Sequence, residues 1–283
     1  MITHDQIPDY YDWLSRYVQV VNWRSYRDRF AAFTMHKRLD PPGDAGRTAG
    51  LEYVNDRLLQ VAGPTEGAHV FDAGCGFGGT VFHWRARVGG RYEGLTLSRV
   101  QLDVARREAR RRGVDDVCSF HLRSYDEPLA PEFDVVVAIE SLIHSRDLTY
   151  TVSNLARALR PGGTLLVLDD MALTDLDRER PGEAQLLRDH WGCVSYPTDA
   201  DYRDAIALAG LTLVHEEDLS PLMRPRPGHV LDRFERRYAA LHRSIPLTPV
   251  RTVLSAYLGG IALERLHGSG DVHYRLLVAR NGA

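Results

Sequence analysis

Cysteine is scarce in this chain. Cys75, Cys118 and Cys193 are far apart, odd in number and without CxxC spacing. Neither a disulfide framework nor a cysteine-built zinc site is indicated, and a reducing cytoplasm is the default compartment. Long apolar runs are also missing. No stretch approaches the roughly 18–20 residues that crossing a bilayer requires, so no membrane partner is expected. The opening MITHDQIPDYYDW has no cationic start followed by an apolar stretch, so it does not read as a secretory signal. Nor is one sign of charge in large excess. With 35 Lys and Arg against 38 Asp and Glu, the formal net charge is -3. A general nucleic-acid binder would show a basic surplus, so no nucleic-acid partner is expected. Internal repeats and low-complexity tracts are absent. What remains is an ordinary globular composition, 44% hydrophobic and 26% charged over 283 residues. That is enough chain for one large core, or a core with an added cap.

Residues 1–66 read as helices. Tyr10, Tyr11, Trp13, Leu14, Tyr17, Val18, Val20 and Val21 recur at near-helical spacing, and residues 51–62 form a second amphipathic stretch. The proline and glycine of residues 40–46 break the two apart. From residue 68 the pattern alternates between strands and helices. AHVFDAG reads as a buried strand entering a glycine turn, and RYEGLTL as a second strand. Residues 98–112 form a helix with Ser98 as N-cap and arginines at its end. Residues 117–122 make a third strand, and FDVVVAIE a fourth with the continuous apolar run of a strand covered on both faces. A helix over 147–159, stopped by PGG, leads to the strand TLLVLDD. DYRDAIALAG reads as a helix ended by Gly210, LTLVHEE as a strand and VHYRLLVAR as the last strand. This alternation implies an α/β fold with a doubly wound, mostly parallel sheet. Residues 171–198 and 219–270 exceed a minimal sheet. The expected division is a helical N-terminal lid over 1–66 and a core over 67–283, with cap insertions at about 171–198 and 219–270.

The segment Val70 to Gly79 carries the sharpest signal. A strand enters a turn where Gly74 and Gly76 remove side chains, so a ligand can approach the backbone. A lone GxG is weak, because many nucleotide folds use one. Asp72 immediately upstream sharpens it. A dinucleotide dehydrogenase would show GxGxxG and an acid ending the second strand. Here the spacing is GxGxGG and the strand ends in Thr96-Leu97-Ser98. DxGxGxG after a first strand resembles the first motif of class I S-adenosylmethionine-dependent methyltransferases. FDVVVAIES resembles that family's fourth-strand motif, and LARALRPGGTLLVLDD its helix–PGG–strand segment. The resemblance spans most of 65–217 and the final strand. It implies a Rossmann-like class I methyltransferase sheet with helical N-terminal and inserted cap segments, and S-adenosylmethionine as cofactor. Asp72, Gly74, Cys75 and Gly76 would then surround the methionine part. GLTLSRVQ resembles the GVTLSxxQ segment of methyltransferases that act on alkene carbons, including cyclopropane fatty-acid synthases and sterol and prenyl diphosphate C-methyltransferases. Carried over, Thr96, Leu97 and Gln101 would surround the ribose. Ser124 and Tyr125 would sit near adenine. Thr96 and Ser124–Tyr125 depart from the family pattern, which has acids there.

Open α/β sheets bind ligands at the carboxyl ends of their strands. Glu140, Ser141 and His144 follow the fourth strand, and Asp169 and Asp170 end the fifth. Methyl transfer from a sulfonium is an in-line displacement, so the protein chiefly aligns the acceptor and manages protons. The leading reading is C-methylation of an isoprenoid-type alkene, such as a prenyl or isopentenyl diphosphate. Glu140 would be the base and Tyr10, Tyr11 or Tyr17 would line the cation's pocket. Arg24, Arg27, His36 and Lys37 lie among aromatics and would suit a phosphorylated small-molecule acceptor. The other reading is O-methylation of a hydroxyl on a sugar or specialised metabolite. ESLIH and LVLDD resemble the segments of O-methyltransferases, with His144 as base and Asp169 orienting it or binding substrate. A non-catalytic binding protein on the same fold is the reading from another class. Magnesium could bridge a diphosphate, but no metal-ligand spacing indicates it. Homo-oligomer formation stays open.

Overall fold

Seven strands pair into one sheet in the computed structural model, which describes residues 3–25, 33–40, 47–130, 132–193 and 196–282. They are β1 (Ala68–Ala73), β2 (Gly90–Thr96), β3 (Cys118–Leu122), β4 (Phe133–Ile139), β5 (Leu159–Ala172), β6 (Leu211–Asp218) and β7 (Val272–Asn281). Their order is β3-β2-β1-β4-β5-β7-β6. Pairing is parallel from β3 through β5, while β7 runs antiparallel to both of its neighbours. The chain leaves β1 in one direction and returns to β4 on its other side. That reversal opens a crevice at the carboxyl ends of β1 and β4, where open sheets take their ligands.

Side chains alternate between the two faces of the strands. On one face Val70, Tyr92, Phe120, Val135 and Val137 pack with α2 (Arg47–Ala62), α3 (Gly79–Arg85) and α4 (Arg99–Arg112). On the other, Phe71, Ala73, Val136, Ala138 and Val167 pack with α5 (Leu148–Arg157) and α8 (Asp199–Leu208). Helix ends follow local chemistry. The Ser98 hydroxyl accepts from the Gln101 amide at 3.1 Å, and Gly113 closes α4 at φ 64°. Thr198 and Asp201 form a reciprocal capping box on α8.

The two helices of the N-terminal stretch differ in role. α2 buries Val54, Leu58 and Ala62 in the sheet's own core. α1 (Ile7–Ser25) lies instead against α4 and α10 (Thr248–Ser269). The two expected insertions supply α6 (Leu176–Glu179), α7 (Pro181–Trp191), α9 (Gly228–Ser244) and α10. Leu176, Ala184, Leu187, Ala262, Leu263 and Leu266 join α6, α7 and α10 in a separate core. Gly259 permits the close crossing, since a Cβ there would lie 2.2 Å from the Trp191 ring. Together α1, α7 and α10 roof the strand tips. One expectation needs correction: PGG does not separate helix from strand. Residues 161–163 lie within β5, where the ladder with β4 is irregular between Phe133 and Val135 and Gly162 adopts φ 75°. None of the described helices is long and apolar enough to cross a membrane.

Trp84 anchors α3 and α2 to each other. It is fully buried, and its Nε1 donates to the Asn55 carbonyl at 3.0 Å. Trp84→Ala should lower the unfolding free energy by about 3–5 kcal/mol, read by chemical denaturation. A loss under about 1 kcal/mol would contradict this packing.

Candidate active site

The turn after β1 is shaped by glycine. Gly74 has φ 106° and Gly76 φ 55°, conformations that side chains resist. At Gly74 contact adds to torsion, because a Cβ would lie 2.5 Å from that of Ser141. The Ser141 hydroxyl donates to the Ala73 carbonyl at 2.6 Å, and the Tyr125 hydroxyl to the Ser141 carbonyl at 2.8 Å. Asp72 is buried beneath this turn, and burial alone pushes its carboxyl up to about 7. No ion pair to Asp72 occurs among the described residues. Thr96 and Gln101 are buried and face each other, with the Thr96 hydroxyl donating to Gln101 Oε1 at 2.5 Å. Asp12 of α1 accepts from the Ser98 hydroxyl at 2.5 Å and the Val100 amide at 3.2 Å, fastening the roof to the start of α4.

The tip of β4 carries Glu140 at φ 48°, the one non-glycine residue with positive φ among the described residues. Three donors hold it there. Its Oε1 accepts from the Lys37 amide and the Tyr274 hydroxyl, each at 2.7 Å, and its Oε2 lies 3.1 Å from Lys37 Nζ. Lys37 Nζ also binds Asp170, whose other oxygen meets His267 Nε2 at 2.8 Å. Burial opposes charge at both partners. Asp170 and Glu140 outweigh it at Lys37, and Lys37 and His267 outweigh it at Asp170. The lysine is therefore held above its usual pKa and Asp170 below. Asp169 has no such cation. It accepts from the Leu142 amide and the Tyr202 hydroxyl, each at 3.2 Å. Burial first, then Asp170, push its carboxyl up to about 7.

Between these tips and the roof lies a cavity of about 250 Å³. Ile7, Tyr10, Tyr11 and Leu14 line it from α1, the i, i+3, i+4, i+7 stripe of one helix face. Gly74, Gly76, Thr96, Leu97, Gln101 and Tyr125 form its floor on the side of β1 and β2. Glu140, Ser141, His144, Asp169 and Asp170 face it from β4 and β5, with His36 and Lys37 along one wall. The Tyr11 hydroxyl and His144 Nε2 are 2.7 Å apart, the rings meeting edge to face. Burial raises the Tyr11 pKa, so its phenol keeps its proton near neutrality. The His36 Nδ1–H donates to the Lys37 carbonyl at 2.9 Å, and burial lowers that imidazole's pKa.

Most of the residues expected from sequence thus meet in one place. Three do not, or only in part, and two more fall wholly or partly outside the described residues. The Cys75 thiol turns into the core beneath Gly94, leaving only its backbone to the turn. Ser124 caps a loop turn, its hydroxyl accepting from the Asp126 amide at 3.1 Å, and lies off the cavity wall. Tyr17 stands seven residues past Tyr10, about 10.5 Å further along the helix axis, and its hydroxyl meets that of Tyr257 at 2.8 Å on the outer seam. Arg24 lies in the last turn of α1; its side chain and all of Arg27 fall outside the described residues. Sequence reasoning missed Tyr274, His267 and Tyr202. Tyr274 sits at an inward position of a strand read only as apolar, and the two others lie on helices whose contacts local spacing does not encode.

The chain also matches known proteins. A family model described as a methyltransferase domain covers residues 71–165. Methyltransferase GfsG of Streptomyces halstedii is 32% identical over 199 residues, 70% of each chain. The 27-O-demethylrifamycin SV methyltransferase of Amycolatopsis mediterranei is 31% identical over 185 residues, 64% of this chain and 68% of its own. The crystal structure of geranyl diphosphate C-methyltransferase from Streptomyces coelicolor, with Mg2+, geranyl-S-thiolodiphosphate and S-adenosyl-L-homocysteine, superposes with TM-score 0.73. It is 21% identical, and the match covers 98% of this chain and 97% of that one.

Asp72 makes stability depend on pH. Its carboxyl binds a proton more tightly folded than unfolded, so its contribution is full below about pH 4 and is lost as pH rises through about 7. Asp72→Asn should therefore stabilise the ligand-free protein at pH 8, by up to ~4 kcal/mol, and change little at pH 4. Urea unfolding at both values checks this; an equal effect at the two would contradict it.

Proposed function

The chain belongs to the class I S-adenosylmethionine-dependent methyltransferases, and from that premise we propose that it methylates a hydroxyl oxygen on a largely apolar, uncharged small molecule. It is an enzyme that uses S-adenosylmethionine and acts on small molecules. When bound, that cofactor supplies an electrophilic methyl group on a sulfonium. The residues present fit it. Asp72 offers a buried carboxylate with no paired cation, suited to an ammonium. Gly74 and Gly76 bare the backbone, Thr96, Leu97 and Gln101 offer the ribose edge, and Tyr125 offers a flat face for adenine.

The observation that carries the oxygen assignment is the contrast between His144 and Glu140. Three of the roughly four acceptor sites of Glu140 are taken by Tyr274, the Lys37 amide and the Lys37 ammonium. His144 has its Nε2 against a phenol that a substrate hydroxyl can replace. The incoming hydroxyl then gives its proton to Nε2 as its oxygen becomes nucleophilic. Ile7, Tyr10, Leu14, Ile143 and Trp191 wall the acceptor in and exclude water. Glu140 and Asp170 already bind the one lysine of the cavity, with Asp169 beside them, which disfavours an anionic acceptor. The name of the Amycolatopsis mediterranei relative, 27-O-demethylrifamycin SV methyltransferase, supports the same reading.

A second reading is C-methylation of an isoprenoid alkene, including a prenyl diphosphate, with Glu140 as base. The ring of Tyr10, Tyr11, Tyr125 and Trp191 favours it, since aromatic faces stabilise a carbocation. The full-length likeness to a geranyl diphosphate enzyme points the same way. A diphosphate would need Lys37 released from both of its carboxylates.

Two variants and a panel of hydroxylated metabolites and prenyl diphosphates separate the readings. His144→Ala should cut turnover about 100- to 10,000-fold while S-adenosylmethionine affinity holds. Loss of turnover in Glu140→Gln with His144→Ala active, and a product methylated on carbon, would sink the oxygen assignment. Gly76→Asp should abolish cofactor binding, read by calorimetry; unchanged affinity would remove the glycine turn from the cofactor site.

A further inference from the structure

One polar cluster on the sheet has no part in methyl transfer. β3 runs into residues 123–132 and on to β4 without a helix among the described residues. On the face under α3 and α4, Tyr92, Cys118 and Phe120 are buried. The alternate residues Glu93, Ser119 and His121 therefore look out on the face that a helix in this connection would have covered. The sheet register completes the group. Glu93 lies opposite Phe71 in β1 and Ser119 in β3, so His69 and His121 are its diagonal neighbours, within reach of long side chains.

The side chains converge. His69 Nε2 is 2.9 Å from Glu93 Oε1, and its ring is held against Phe133 with centroids 4.5 Å apart. A Glu132 oxygen joins them, and the ligand atoms of His69, Glu93 and Glu132 all lie within 4.8 Å of one another. His121 Nε2 approaches the other Glu93 oxygen at 3.8 Å and the Ser119 hydroxyl at 3.3 Å. Among the described residues no lysine or arginine pairs with Glu93 or Glu132. Two carboxylates and the His69 imidazole thus share a small space, with His121 at its edge and no paired lysine or arginine among the described residues.

We propose that this cluster binds a zinc ion through His69 Nε2, Glu93 and Glu132, whose ligand atoms lie together. One imidazole with two carboxylates suits zinc, which takes nitrogen and oxygen ligands at about 2.0–2.2 Å and admits water in a further position. Magnesium and calcium prefer oxygen ligands throughout. The site shares no residue with the cavity, so its role is structural. It staples β1 and β2 to the residue that precedes β4, across the part of the sheet that lacks a covering helix. Metal ligands must be deprotonated, so binding weakens in acid.

The test uses tag-free full-length protein stripped with chelator, titrated with zinc chloride by calorimetry and by thermal melting. One equivalent should bind and raise the melting temperature, more at pH 7.5 than at pH 5.5, and magnesium chloride at equal concentration should not. His69→Ala and Glu132→Gln should each weaken zinc binding at least tenfold, leaving affinity for S-adenosylhomocysteine unchanged. Absence of saturable binding, or binding unaltered in both variants, overturns the proposal. If His69→Ala does not fold, Glu132→Gln decides alone, since that side chain is only partly buried.

Discussion

The ammonium of Lys37, set between the carboxylates of Asp170 and Glu140, is the contact on which the cavity depends. It belongs to a short segment, residues 33–40, with almost no regular structure of its own. The carboxylates belong to β5 and β4, and His267 of α10 and Tyr274 of β7 complete the shell. Four separate parts of the chain therefore meet through one charge. Removing one member of a buried pair leaves its partner uncompensated, at a cost of roughly 3–5 kcal/mol. Here two carboxylates would be stranded, with Asp169 beside them. The wall that Met35 and His36 contribute is thus pinned by electrostatics more than by apolar packing. The left-handed backbone of Glu140 fits the same picture. Strain of that kind persists where surrounding contacts over-determine it, and three donors do so here.

Glu140, Asp169 and Asp170 line the cavity beside a single lysine, Lys37. The two carboxyls pushed up to about 7, Asp72 and Asp169, are ones with no ion pair among the described residues. Both stand where a positively charged ligand would draw them back toward the ionised form.

How far this was legible in the sequence depended on whether the information is local. The β1 turn was legible because Gly74 and Gly76 are required by backbone conformation and close approach, and both constraints act within a few residues. The strand tips were legible because Glu140, His144, Asp169 and Asp170 directly follow apolar runs. The stripe of Tyr10, Tyr11 and Leu14 was readable from helical period, but period does not say where along the axis a cavity ends, which is why Tyr17 falls outside. The direction of β7 was not legible, because an apolar run has no orientation. His267 and Tyr274 were missed for the related reason that their contacts span the whole fold. Glu93 with His69 and His121 was invisible as spacing, since only sheet register brings those positions together.

The cofactor turn and the acceptor side are mechanically one unit. Gly74 can accept no side chain because Ser141 presses on it, and Ser141 is tied back to Ala73 by its hydroxyl and to Tyr125 by its carbonyl. Ser141 directly follows Glu140 and stands three residues before His144. The turn proposed for the donor and the imidazole proposed as base are therefore joined across the β1–β4 crevice through close contacts. Effective molarity in such a reaction comes from holding both reactants in register, and small misplacements cost rate steeply. A sheet whose order reverses between β1 and β4 supplies that register through its backbone. Chemistry can then vary at the roof, on α1 and α10, without disturbing the alignment beneath.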